Sequence, residues 1–149
     1  MSITAAGLYG LTLEKFLIDT AGESLEAEDH FEALVTDSYT PNFDTHDFFN
    51  DLTNEVTGTN YTSGGVAVTS TEITLSSGTL TFDAADTTYS TVTITDAMAG
   101  VIATSVSTPA AATNQLVVLQ DFVTAASATA ANFVIQHSAS GIFTWDYTP

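Results

Sequence analysis

The chain has no cysteine, no arginine and a single lysine, Lys15. Without cysteine there is no disulfide, no thiolate metal site and no cysteine nucleophile, and redox chemistry leaves the compartment open. With one cation against 18 acids the formal charge is −17. A surface this negative repels nucleic-acid backbones and anionic membranes, so direct binding to either is not expected. Long apolar runs are missing as well. No stretch reaches the roughly 20 apolar residues that a membrane-spanning helix needs. Residues 1–17 lack a basic leader region, and Thr4, Thr12, Glu14 and Lys15 interrupt their apolar residues, which predicts a protein made in the cytoplasm and used without secretion.

What is present is ordinary for a folded domain. The length is 149 residues, with 44% hydrophobic and 10% aromatic residues, enough for one core without covalent staples. A single domain over 1–149 is expected, with an acidic segment at 1–30 and a β core at 31–149. Twelve of the acids fall in the first 55 residues and only six in the remainder. Self-repulsion on this scale destabilises a fold at low salt and is screened near 1 M, where the Debye length is about 3 Å. A saline setting is therefore one expectation.

Leu8, Leu11, Leu13, Phe16 and Leu17 recur at threes and fours and predict a short N-terminal helix over 8–19. Residues 31–36 read as a strand, and Tyr39-Thr40-Pro41-Asn42 as a turn. Asp44 or Thr45 is placed to cap a short helical insertion over 46–52. From about Glu55 onward, Thr, Ser, Val and Ala alternate with period two. Strands are expected at 66–69, 72–75, 79–82, 91–94, 101–104, 116–123, 132–136 and 141–145, with loops at 107–114 and 124–131. The fold class is mostly β, an antiparallel β-sandwich or barrel.

Chemistry is sparse. His30, His46 and His137 form no H-E-x-x-H box, and no G-x-S-x-G elbow or phosphate loop occurs. The best cation candidate is the cluster Asp44, His46, Asp47 and Asp51; the plainer reading makes Asp44 a cap, leaves Asp47 and Asp51 in solvent and packs His46. The run 25–29 lacks an EF-hand pattern and reads as a solvated face. Two carboxylates suffice for glycan hydrolysis, but no pair is marked. The sequon Asn60-Tyr61-Thr62 is read as coincidence. Phe143, Trp145 and Tyr147 alternate and can share one strand face, either as core or as anchors for a partner. No catalytic or cofactor-binding residue is assigned, and no cofactor is expected.

The run from Ser38 through Thr40-Pro41 to Asp44-x-His46 and Asp51, then Asn54-Glu55-Val56, Gly58, Tyr61 and Gly64-Gly65, is ordered and long. With Asn132-Phe133-Val134-Ile135-Gln136 and Gly141-Ile142 it resembles a family of small β-rich structural proteins of tailed phages and related viruses. That family includes head decoration and tail-associated proteins, and the resemblance runs from about Phe31 onward. It implies a non-enzymatic virion component and transfers no catalytic residue. The Asp44/His46/Asp51 stretch and the Tyr61/Gly64/Gly65 turn then read as structural. The first expectation is a capsid decoration, or cement, protein on the outside of the head shell. Its partners would be the major capsid protein and other virion proteins, and it would act as a homo-oligomer, with a trimer as the guess. A tail-associated or fibre-like protein touching a host receptor is the alternative, and a glycan hydrolase comes third. In a coat, the excess acid would also serve simply to resist aggregation.

Overall fold

The structure is a computed structural model describing residues 3, 5–17, 24–27, 29–105 and 108–146. It is mostly β, as the alternation implies. In chain order the elements are β1 (Gly7–Leu8), α1 (Gly10–Leu17), β2 (His30–Thr36), a 3-10 turn (Phe49–Asp51), β3 (Gly58–Thr59), β4 (Val66–Ala67), β5 (Glu72–Ser76), β6 (Thr79–Asp83), β7 (Thr87–Thr104), β8 (Leu116–Ile135) and β9 (Phe143–Asp146).

Two antiparallel sheets result. The larger runs β1-β8-β7-β2-β4, with β3 also on β7; the smaller runs β5-β6-β9. They pack face to face, with Phe82 of the small sheet buried with Ile102, Val117 and Val118 of the large one. Among the described residues no pairing joins the end strands β1 and β4, so layering, not closure into a barrel, is what the strands build. The opposite face of the large sheet, including Ala33, Val35, Val101 and Leu119, is covered by Tyr9, Tyr39, Phe49 and Leu52. Strand β2 is thus buried on both faces, and its apolar run follows from that.

Three expectations need correcting. The helix starts at Gly10, not at residue 8, because Gly7 and Leu8 pair with Leu119 and Val118 as an edge strand. The helical insertion over 46–52 shrinks to one 3-10 turn. Its backbone is drawn off to the start of β8: Phe49 donates to Asn114 O at 2.8 Å, and Asp47 O accepts from Leu116 N at 2.9 Å. Finally, 124–131 is no loop but the middle of the 20-residue strand β8, whose partner β7 likewise merges two expected strands. Alanine is a weak strand former, but pairing against a neighbour overrides propensity.

The merged hairpin hides its continuity behind bulges. Its register shifts repeatedly between Tyr89 and Ala99. Thr91, Asp96, Val123 and Ala130 there have φ of 52°, 56°, 64° and 46°. Such a conformation strains any residue with a Cβ, and a β-branched valine most. Each of these four residues has its backbone N–H caught by a side-chain oxygen. Thr91 donates to Asn132 Oδ1 (3.0 Å), Asp96 to Ser127 Oγ (3.0 Å), Val123 to Asp121 Oδ1 (2.7 Å) and Ala130 to Thr93 Oγ1 (2.9 Å). Asn132, Ser127, Asp121 and Thr93 are therefore bulge clasps. Asn132→Ala and Thr93→Val are expected to cost about 0.5–1 kcal/mol each in denaturant unfolding, and the double variant to depart from the sum, because both clasps flank the Val92–Ala131 pair. Amide exchange at Thr91 and Ala130 should accelerate correspondingly; unchanged exchange would mean that the clasps do not hold the bulges.

Candidate functional site

The four cation candidates do not converge. Asp47 Oδ2 pairs with Lys15 Nζ at 2.9 Å, and the same ammonium lies 3.8 Å from the centre of the Phe48 ring. His46 Nδ1 is 2.9 Å from the hydroxyl of Tyr39, which in turn is 2.9 Å from that of Tyr9. Asp51 Oδ2 accepts from the backbone N–H groups of Asp47 (3.1 Å) and Phe48 (3.3 Å). Those bonds hold its pKa below the usual carboxylate value. Asp51, not Asp44, therefore caps this turn, while Asn42 Oδ1 accepts from the N–H groups of Asp44 and Thr45. Among the described residues no group of three or more His, Asp or Glu side chains is placed to hold a metal ion.

The Asn54–Val66 motif is spent on the fold too. The Glu55 carboxylate accepts from Tyr61 Oη (2.9 Å), Ser63 Oγ (2.7 Å) and Gly64 N (2.6 Å). Tyr61 Oη accepts from Leu34 N at 2.9 Å, which ties this turn to β2. Gly65, at φ +80°, lies so close to β2 that a Cβ would sit 1.6 Å from Glu32 O. That same carbonyl also accepts a bond from the hydroxyl of Tyr89.

The most unusual chemistry lies at a residue that sequence reading passed over. Glu32 sits mid-strand in β2 and is fully buried. Its carboxylate occupies the space left by Gly100, where a Cβ would come within 2.4 Å of Oε1. Gln120 Nε2 donates to Oε1 at 2.9 Å. Gln120 Oε1 is then free to accept from His137 Nδ1, 3.2 Å away. A proton on Nδ1 leaves Nε2 to accept from Thr87 Oγ1 at 3.2 Å, and Nε2 faces Glu32 Oε2 at 3.8 Å. Among the described residues Oε2 makes no hydrogen bond of ordinary geometry. Burial pushes the Glu32 pKa up to about 7, with the Thr87 hydroxyl pulling slightly the other way. Burial lowers that of His137, with Asp86 and Asp83 opposing. Both shifts favour the neutral forms. The available signal was a lone acid inside an otherwise apolar strand run, Phe31-Glu32-Ala33-Leu34-Val35. The carboxylate is buried completely, so its perturbed pKa bears on the stability of the fold.

The aromatic candidates do reach the surface. Register places two apolar rows across the small sheet: Ile73–Phe82–Phe143 and Leu75–Leu80–Trp145. The first row packs on the large sheet. The second overhangs it, with Leu75 66% and Trp145 43% exposed. Together with Leu13 and Phe16 of α1, the sheet forms an open apolar groove of about 250 Å³. Tyr147 lies outside the described residues.

Two outcomes follow. For Glu32, the neutral acid is the form the fold prefers, so its contribution is present below the ordinary carboxylate pKa and lost as pH rises through about 7. The stability difference between the native chain and Glu32→Gln should fall by roughly 2–3 kcal/mol between about pH 5 and pH 8. His137 acts oppositely, since its contribution fades as pH falls through its ordinary pKa; melting curves of His137→Gln separate the two. A difference that stays flat from pH 6 to 8 would instead mean that the Glu32 carboxylate is already charged there. Second, Gly65→Ala should cost more than about 3 kcal/mol or prevent folding, read by denaturant unfolding or soluble yield.

No protein-family model, no curated protein and no solved structure matches the chain.

Proposed function

We propose that the protein is a virion structural component, a capsid decoration protein seated on the outside of the head shell. The observation that carries this reading is the ordered pattern from Ser38 to Val66 and its resemblance to small phage structural proteins. The geometry supports it in one respect. The polar residues of that pattern that the bonds above involve, Asn42, His46, Asp51, Glu55 and Tyr61, make internal contacts that fix loops on the scaffold. A sheet sandwich stiffened in this way suits a clamp better than a moving catalyst. Many identical copies, each touching several shell subunits, would add modest contacts into strong retention. The surplus of acid directs such a clamp to basic or neutral protein surfaces.

Purified protein mixed with virion shells stripped of it, over a salt series, is expected to give ordered density at fixed positions on the head lattice. Binding confined to tails, or no binding to shells at any salt, would overturn head decoration and leave a tail-associated role.

A further inference from the structure

The long hairpin of β7 and β8 folds back on itself. Thr87 pairs with Ile135 at its open end, and Gly100 pairs with Gln120 in the other half. In a straight ladder these two rungs would stand roughly 40 Å apart. Yet a Cβ on Gly100 would lie 3.1 Å from Cδ1 of Ile135. The bend falls at the register shifts between Tyr89 and Ala99, beside the left-handed residues Thr91, Asp96 and Ala130. Leu34, Val56, Tyr89, Val92, Ile94 and Ile135 form the apolar filling inside the fold-back.

Polar contacts close the returning end onto the middle. His137, which follows β8, sets Nδ1 3.2 Å from Gln120 Oε1 and Nε2 3.8 Å from Glu32 Oε2. Tyr89 donates its hydroxyl to Glu32 O. The backbone N–H of His137 donates to Asp86 Oδ1 at 3.1 Å, so the two strands of this end stay tied to one another. On the side of the middle, Glu32 is the common partner, directly or through Gln120.

We infer that this cluster is a proton-operated latch: while Glu32 keeps its proton the returning end stays shut, and loss of that proton frees residues 87–91 and 131–137 with the rest of the sandwich still folded. A deprotonated Glu32 has hydrogen-bond donors to meet but no cation. The charges that reach the cluster are those of Asp83 and Asp86 at His137, and of Glu55 and Tyr61 at Tyr89, and all belong to acids. Lys15 is held elsewhere by Asp47. His137 is the one base in reach, and burial lowers its pKa, so it stays neutral while Glu32 titrates near 7. An uncompensated buried anion is costly. Lifting the returning end admits water to it at least cost, because strained bulges at the base of that end already interrupt the ladder. The latch is independent of the head-decoration reading, and it differs from a uniform loss of stability in being local.

Hydrogen–deuterium exchange of the full chain, read by mass spectrometry and corrected for the intrinsic effect of pH on exchange, locates the opening. Between pH 6 and pH 8, protection of 87–91 and 131–137 is expected to fall about tenfold, with 101–104 and 116–119 unchanged. Glu32→Gln keeps the shape and the Gln120 contact but cannot ionise, and should hold both segments shut over that range. Equal loss in all four segments of the native chain would mean global destabilisation and overturn the latch, whatever the variant does. Unchanged protection in the native chain, or a loss that persists in Glu32→Gln, would overturn it as well.

Discussion

The long antiparallel ladder between β7 and β8 is the constraint on which the remaining structure depends. Strand β1 adds to β8, while β2 and β3 add to β7, so the whole large sheet is templated on this hairpin. A ladder of that length accumulates twist, and the register shifts between Tyr89 and Ala99 take it up. Their cost is four residues in the left-handed region whose N–H groups leave the regular ladder. The side chains of Asn132, Ser127, Asp121 and Thr93 accept those N–H groups, which is why so polar a strand region holds together.

Strand β2, inserted beside this hairpin, faces the opposite problem. Being covered on both sides, it has no room for an unsatisfied polar group, yet it carries Glu32. Gly100 provides the space, and Gln120, His137 and Thr87 provide a chain of polar neighbours. Desolvation outweighs their help, so the carboxyl holds its proton more tightly than an exposed acid would. From the other side, Gly65 and the Glu55–Tyr61 clasp press the neighbouring turn against the same stretch of backbone. A buried polar cluster of this kind adds little net stability, because desolvation offsets its internal contacts.

The surface divides along different lines. Most polar side chains named in the loops are engaged with the chain itself, and the net charge is left to act at longer range. One place combines that negative field with uncovered apolar area, the overhang of the small sheet around Leu80 and Trp145. Leu75 and Trp145 share a sheet face with Ile73 and Phe143, which pack on the large sheet, yet stay 66% and 43% exposed.

The sequence by itself determined the fold class. Period-two alternation marked β5 and β6 and the tight turn at Ser76-Ser77-Gly78, and the absence of cysteine and of arginine excluded whole categories of site. It also singled out Phe143 and Trp145, whose shared face is a local property of a strand. Tertiary structure alone decided the rest. The alanine-rich 124–131 became strand because β7 lies alongside it, and the expected insertion over 46–52 lost its helix because β8 claimed its backbone groups. The acids near His46 scattered to Lys15 and to the backbone, and Glu32 became buried only when β4, β7 and their neighbours closed around it. Local pattern records which residues suit a pleated strand; which strand pairs with which, and what that pairing leaves uncovered, is set by contacts between residues far apart in the chain.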